Sequence, residues 1–472
     1  MKLYNTLTKT VDKIKPLNAP VVTVYTCGPT VYDYPHVGNW FTYIREDLLI
    51  RTLKLSGLQP KWVMNITDVG HLTSDADEGE DKLEKGARRE GKTAWDVAEF
   101  YTDYFVKGLE RLNIPMPDEL PKATAHIPEQ IALIQQLEAK GFTYVIGDGV
   151  YYDTSKFPRY AEFAQLDIDE QQEGARVQTN AEKRNPSDFA LWKFSPKPEE
   201  TDHKRDMEWE SPWGTGFPGW HIECSAMSMK YLGETLDIHA GGIDHVPVHH
   251  TNEIAQSEAA TGKPFALHWM HSNHITIEGD KISKSLGNGI TLEDIEAKGY
   301  SLDVLRLHVL ESHYRSQSKF SWESLEAAKN RLNDYRAMAA LQWQAQAAAV
   351  DGMSVSFEQI GAVLAENLQN DLDTPQTLAF LSNFSKQAQT VLVHTELLPL
   401  FKDALAAIDA ALGLHLSSEP DITDEQKQTI AAREQARTDK DWAKSDQLRD
   451  ELLTAGIALR DTPHGTTVWY RT

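Results

Sequence analysis

Tyr25-Thr26-Cys27-Gly28-Pro29-Thr30-Val31-Tyr32-Asp33-Tyr34-Pro35-His36-Val37-Gly38-Asn39 is the stretch that organises the chain. It is preceded by Val21-Val22-Thr23-Val24, and the run through Tyr25 is short, β-branched and bounded by Pro20 and Gly28, which predicts a buried strand. Gly28-Pro29 turns the chain. From Trp40 to Leu55, Phe41, Ile44, Leu48, Leu49 and Leu53 recur at helical spacing, with Gly57 placed to cap the end. A strand, a Gly/Pro turn and a helix starting at His36-Val37-Gly38-Asn39 are expected in that order. Open α/β sheets bind ligands at such strand ends, and helix N-termini favour phosphate.

His36-Val37-Gly38-Asn39 resembles the H-I-G-H nucleotide-binding signature of class I aminoacyl-tRNA synthetases, with Asn in the fourth place. Together with Cys27-Gly28-Pro29-Thr30-Val31-Tyr32-Asp33 it resembles the cysteinyl-tRNA synthetase family, and the resemblance runs along nearly the whole chain. It implies an α/β fold: a Rossmann-type doubly wound parallel sheet split by a connective insertion, then α-helical domains and a small C-terminal domain.

Composition sets the frame for that resemblance. A chain of 472 residues, 41% hydrophobic and 25% charged, reads as three or four soluble globular domains. No apolar run reaches membrane-spanning length, and the N-terminal residues lack a signal-peptide core, so a cytoplasmic protein without a membrane partner is expected. The net charge of −23 gives no support to nucleic-acid binding, which must rest on motifs. Cys27 and Cys224 are the two cysteines; buried reduced thiols are the plain reading, and a disulfide is not expected in the cytosol.

In order, residues 1–114 are expected to form the first half of the catalytic domain. Its second strand is placed at Lys61–Ile66, leading into Asn65-Ile66-Thr67-Asp68, which the family shares. The family's Asp-Asp-Lys is matched by Glu80-Asp81-Lys82 after an acidic insert with Asp75, Asp77, Glu78 and Gly79, read as a solvated loop. Residues 115–204 are the connective insertion, opened by Pro115, Pro117 and Pro121. It should hold a helix carrying Ile127, Ile131, Ile134 and Leu137, and strands at Thr143–Ile146 and Val150–Asp153. Lys183-Arg184-Asn185-Pro186-Ser187-Asp188-Phe189 and Leu191-Trp192-Lys193 resemble a family signature on its way out. Residues 205–275 supply the second half of the sheet, 276–345 a Lys-Ile-Ser-Lys-Ser loop and helices, and 346–416 a helical bundle containing Asp371-Leu372-Asp373-Thr374-Pro375. Ser417-Ser418-Glu419-Pro420 reads as a linker to a module at 420–472, with helices over Asp424–Lys440 and Trp442–Ala455 and a terminal strand. By resemblance that module recognises the anticodon. There is no internal repeat or low-complexity tract.

The second cysteine lies in Pro218-Gly219-Trp220-His221-Ile222-Glu223-Cys224. Further on come Asp237-Ile238-His239-Ala240-Gly241-Gly242-Ile243-Asp244 and His249-His250-Thr251-Asn252-Glu253. His249 and Glu253 are four apart, so on a helix they share one face. They can pair with each other there, or share a metal. Two thiolates, an imidazole and a carboxylate are acceptable zinc ligands. The family places its zinc on Cys27, Cys224, His249 and Glu253. A thiolate on zinc would discriminate cysteine from serine without editing. With Gly28, Trp220 and Thr67 would line the cysteine pocket, Asp244 would take the ammonium, and His239 and Gly241 would belong to the nucleotide pocket; His221, His245 and His250 stay unassigned.

Lys281-Ile282-Ser283-Lys284-Ser285 resembles the second class I signature, with Ile282 for Met. Lys281 and Lys284 would stabilise charge developing on pyrophosphate. His36, Gly38 and Asn39 would hold ATP, with Mg2+ accompanying the nucleotide. Asn39 in place of His is expected to alter ATP affinity while still hydrogen-bonding; Ala240 for Gly and Thr251 for an acid remove no proposed ligand. The implied activity joins L-cysteine to cysteine tRNA at the expense of ATP, in a monomer. Two alternatives stand beside it: a cysteine–amino-sugar ligase of mycothiol synthesis, and a non-catalytic regulatory paralogue.

Overall fold

The run at 21–25 is a strand spanning Val21–Thr26, with Val22, Val24, Tyr25 and Thr26 buried. A computed structural model describes residues 1–70, 81–164, 180–196, 205–277, 280–281, 289–346, 356–461 and 467–471, without the side chains of Lys82, Glu90, Asp280, Lys281 and Val391. The insert at 71–80, the loop from Ile282 to Asn288 and therefore Lys284 lie outside the described residues, as does the side chain of Lys281. The chain divides into two compact units. One is Met1–Thr276 with Lys281–Leu292 and Tyr314–Ser318; the other is Ile277–Asp280, Glu293–His313 and Lys319–Thr472.

The first unit opens with a hairpin, β1 (Lys2–Asn5) and β2 (Thr10–Lys13), and then enters the central sheet at β3 (Val21–Thr26). Helix α1 (Val37–Leu55) leads to β4 (Gln59–Met64), parallel to β3. The chain then passes through an insertion whose strands β5 (Thr143–Ile146), β6 (Gly149–Tyr152), β7 (Phe189–Phe194) and β8 (Gly216–Pro218) form one antiparallel sheet. It returns to the central sheet at β9 (Leu236–Gly242) and β10 (Ala266–Ser272). The central order is β10-β9-β3-β4, all parallel. Residues 119–122 extend it beyond β4 through Met64 N→Glu119 O (3.1 Å) and Ile66 N→Pro121 O (2.8 Å). From β3 the chain moves one way to β4 and, much later, appears on the other side as β9. The ends of β3 and β9 therefore flank the switch point where such sheets bind ligands.

The inserted sheet runs past the expected boundary at residue 204, because β8 pairs with β7 (Trp192 opposite Pro218). One small cluster, Tyr144, Tyr151 and Ala190, is its own, but its larger core is shared: Trp192, Tyr152, Phe189 and Ile134 pack in one buried cluster with Ile222, Ala226, Ala255 and Ala259. Those last four residues sit on helices Trp220–Leu232 and Thr251–Thr261 of the catalytic half.

In the second unit, helices Leu302–Leu310, Trp322–Ala339, Ile360–Gln369, Thr374–Val391 and Leu398–Leu412 precede the C-terminal module. Asp373 caps the Thr374 helix by accepting from Gln376 N at 3.0 Å, which accounts for the Asp-Thr-Pro turn. The module consists of helices Asp424–Thr438 and Trp442–Thr454 and an antiparallel hairpin, Ile457–Asp461 with Thr467–Arg471. The segment expected as a linker is fastened: Ser417 donates twice to Asp409, and Trp343 Nε1 donates to Glu419 O at 3.0 Å. Ala340, from the preceding helices, joins Ile422, Ile430, Leu452, Ile457 and Trp469 in one core. The module is built onto the bundle rather than hung from it.

Candidate active site and metal centre

Backbone register brings the first cysteine into place. Tyr25 lies opposite His239 and Thr26 opposite Ala240, and Cys27 N donates to Ala240 O at 3.1 Å. Gly28 follows because nothing larger fits: a Cβ there would lie 1.7 Å from the carbonyl oxygen of Asn65. Gly28 N also donates to Asn65 Oδ1 at 2.9 Å, and Val31 N→Thr67 O and Thr67 N→Pro29 O close the two loops onto each other. These loops floor a cavity of about 680 Å³.

The cavity is lined by Cys27, Cys224 and His249; by His36, Gly38 and Asn39; and by Gly28, Thr67, Trp220 and Asp244. The three motifs that are far apart in sequence thus meet in one place. At the N-terminus of α1, His36 Nδ1 accepts from Asn39 N (3.3 Å) and Asn39 Oδ1 accepts from His36 N (3.1 Å). Asn in the signature's fourth place therefore completes a capping box. Thr67 Oγ1 donates to the buried Glu223 at 3.1 Å, and the Trp220 ring lies 4.6 Å from that of His249.

A wide turn over Val246–His250 leads into the Thr251–Thr261 helix and turns His249 and His250 inward, both buried. His249 and Glu253 then meet on one face, with Nε2 2.9 Å from Oε1. Cys27, Cys224, His249 and Glu253 are all buried, and their ligand atoms lie within 4.8 Å of one another. Glu253 Oε1 makes no hydrogen bond among the described residues despite its closeness to His249. One nitrogen and one oxygen of this pair lie within 4.8 Å of both cysteine sulfurs, close enough for the four groups to share a cation. The cluster fits a metal ion.

Neighbouring imidazoles hold these donors. His239 Nε2 lies 2.9 Å from Glu253 Oε2, and His221 Nδ1 lies 2.9 Å from His249 Nδ1. Cys27 Sγ meets His250 Nε2 at 3.2 Å; His250 Nδ1 meets His271 Nε2 at 2.8 Å, and His271 Nδ1 meets Thr6 Oγ1 at 2.7 Å. His239, expected in the nucleotide pocket, is fully buried, stacks on Trp269 at 4.6 Å and does not line the cavity. Gly241 does not line it either; a Cβ there would press on His245 Nδ1 at 2.8 Å, so this glycine makes room for the packed imidazoles. The sequence showed a density of histidines here but not which ring faces which donor.

The charges are set against one another. Burial pushes the Glu253 carboxyl up, but His239 and His249 outweigh it and hold it down at about 2. Burial pushes His249 down, and Glu253 and Cys224 raise it to about 10. Burial lifts the Cys27 thiol well above its ordinary range, with the Cys224 sulfur adding to the effect. Cys224 is lowered to about 7, first by its hydrogen bond with Cys27. A divalent cation held by these groups would replace the imidazole proton and favour both thiolates.

Comparison with known proteins agrees with this geometry. Residues 13–330 match the family described as "tRNA synthetases class I (C) catalytic domain", and residues 419–471 match the "Cysteinyl-tRNA ligase anticodon binding domain". The chain is 43% identical to a cysteine–tRNA ligase of Treponema denticola, covering 99% of both proteins. It is 45% identical to cysteine–tRNA ligase 1 of Burkholderia lata, over 98% of this chain and 96% of that one. Among solved structures, Mycobacterium tuberculosis methionyl-tRNA synthetase in complex with methionyl-adenylate superposes with a TM-score of 0.58 at 14% identity, over 84% of this chain and 92% of that one, a likeness of fold. A split parallel sheet, a buried Cys/Cys/His/Glu cluster at its switch point and near-complete alignment with such relatives place this chain in the cysteinyl-tRNA ligase family of class I tRNA synthetases.

Proposed function

We propose that the chain joins L-cysteine to cysteine tRNA. The observation that carries this reading is the Cys27/Cys224/His249/Glu253 cluster opening into the cavity that also holds the N-terminus of α1. Zinc at those four residues would bind a substrate thiolate and disfavour the harder, less acidic serine hydroxyl. Trp220 and Thr67 wall the amino-acid pocket, and Asp244, two-thirds exposed with 66% of its side chain accessible, offers a carboxylate for the ammonium.

His36, Gly38 and Asn39 present the start of α1 to the ATP phosphates, which Mg2+ accompanies. The cysteine carboxylate oxygen attacks the α-phosphorus, the bond to the bridging oxygen breaks, and pyrophosphate leaves. Lys281 and Lys284 serve to balance that charge. A hydroxyl of the tRNA's terminal adenosine then attacks the adenylate carbonyl, and AMP departs. No side chain acts as a nucleophile, so positioning and electrostatics carry the rate. Beside the nucleotide-pocket role implied by the family resemblance, His239 is read as the residue that orients Glu253, and Gly241 as making room for the packed imidazoles.

Residues 419–471 match an anticodon-binding family, which favours a tRNA over an amino sugar as acceptor. Among the described residues no helix is long and apolar enough to cross a membrane, in keeping with a cytoplasmic enzyme, which we read as a monomer. Cysteine-dependent ATP–pyrophosphate exchange followed by charging of cysteine tRNA is expected. Absence of exchange would favour the regulatory paralogue, and exchange without charging the sugar ligase.

A further inference from the structure

Two donor sets converge on the same buried space. Besides Cys27, Cys224, His249 and Glu253, the ligand atoms of Cys27, His239, His250 and Glu253 also lie within 4.8 Å of one another. The sets share the Cys27 sulfur and the Glu253 carboxylate and differ in their second pair. Cys224 and His249 line the cavity; His239 and His250 do not, and both are 0% exposed.

The second set gathers four donors that an ion could share once it displaces the protons of the hydrogen-bond contacts between them and widens those contacts by a few tenths of an ångström. Cys27 Sγ to His250 Nε2 is 3.2 Å, His239 Nε2 to Glu253 Oε2 is 2.9 Å, and His250 Nε2 to Glu253 Oε1 is 3.9 Å. A tetrahedral ion with bonds of about 2.0–2.3 Å sets its ligands roughly 3.3–3.8 Å apart. The His250 ring is fixed from behind, Nδ1 lying 2.8 Å from His271 Nε2, as a metal-ligating imidazole requires. His239 Nδ1 is buried without a hydrogen-bond partner among the described residues, so the polar engagement of that ring is through the Nε2 that faces Glu253.

We propose that the centre offers a divalent cation of the zinc type two positions: an outer one, open to the cavity, and an inner one formed by Cys27, His239, His250 and Glu253, which retains the ion when the outer pair is lost. The inference rests on the metal reading above. The outer set leaves the ion accessible to a substrate thiol. The inner set surrounds it with four protein donors away from the cavity, as in a structural site. Metal content and cysteine binding are therefore separable properties of this chain.

The test uses the full chain carrying Cys224→Ala and His249→Ala, loaded with zinc or cobalt, dialysed and analysed for metal. The double variant should hold about one ion per chain, with thiolate-to-cobalt charge-transfer absorption roughly half that of the unsubstituted protein, because one thiolate replaces two. Added cysteine should leave its spectrum unchanged. Adding His239→Ala and His250→Ala should abolish metal retention. A folded double variant that holds no metal overturns the proposal. Where the double variant fails to fold, Cys224→Ala alone decides: its metal should be lost on adding His250→Ala, and retention indifferent to His250 overturns the inner position. Unsubstituted protein without metal would instead defeat the underlying metal reading.

Discussion

His239 Nε2 donates to Glu253 Oε2 at 2.9 Å, from a ring with no exposed surface to a carboxylate with none. The bond fixes one oxygen of Glu253 and turns the other toward His249 and the cysteine sulfurs. The His239 ring does not line the cavity. His239→Gln should accordingly lower metal affinity roughly 10–100-fold, the usual effect of losing a group that orients a ligand. The KM for ATP should stay within about twofold of the parent. Metal titration and exchange kinetics on the same preparation measure both, and a raised KM for ATP with normal metal binding would return His239 to the nucleotide pocket.

Removing Cys27 takes away a donor common to both cation positions. Cys27→Ala should therefore abolish metal binding, where Cys224→Ala should leave metal bound but abolish cysteine-dependent exchange. Elemental analysis of the two purified variants, side by side, is sufficient.

Metal uptake should strengthen with rising pH. In the metal-free protein Glu253 is held at about 2, below the usual carboxylate range, so its contribution to stability is present above about pH 4.5 and lost as pH falls toward 2. His249 is raised to about 10, so its contribution is full below about pH 6.5 and lost as pH rises toward 10. The pair's contribution to stability is thus full between about pH 4.5 and 6.5, and below about pH 10 a cation must displace the His249 proton. Calorimetry in buffers of different ionisation enthalpy should detect proton release on zinc binding, with apparent affinity rising with pH toward about 10. Affinity independent of pH would mean that His249 is not a ligand.

Gly28→Ala should destabilise the first unit by roughly 1–3 kcal/mol, since its Cβ would run into the backbone oxygen of Asn65 and force β3 and β4 apart at the cavity floor. Denaturant unfolding monitored beside exchange activity should show both falling together.

Lys284→Ala is expected to raise the adenylation barrier by about 2–4 kcal/mol, the loss typical of one transition-state donor, with cysteine affinity little altered. Pre-steady-state adenylate formation measures it.

How much of this was legible in the sequence depended on how local the cause was. The strand at Val21–Thr26, the glycine turn and α1 follow from short-range patterning, and they appear where expected. The apolar spacing of α1 did not reveal that Arg45, Glu46 and Asp47 are also buried. Arg45 is held by Asn273 O and Ser318, more than two hundred residues away, and no periodicity encodes that. The ligand residues could be named from their motifs, but the partner of each imidazole is a matter of rotamer and packing. In the C-terminal module no local pattern separates Arg433, Trp442 and Trp469 from one another. The structure buries Arg433 against Asp461 and Thr467 and Trp469 in the core, leaving Trp442 59% exposed. The Ser-Ser-Glu-Pro run looked like a linker because its polarity is apparent and its contacts are not.

The core shared between the inserted sheet and the catalytic helices fixes an order of events at the ribosome. Cys27 emerges 197 residues (224 − 27) before Cys224. Helix Trp220–Leu232, which carries Cys224, cannot seat until the inserted strands have been made, because Ile222 and Ala226 pack against them. At roughly 5–20 residues per second the first sulfur waits some 10–40 s for its partner. Through that interval the nascent protein carries a lone thiol, and the arrival of the second half of the sheet completes the centre and withdraws that thiol from the surrounding medium.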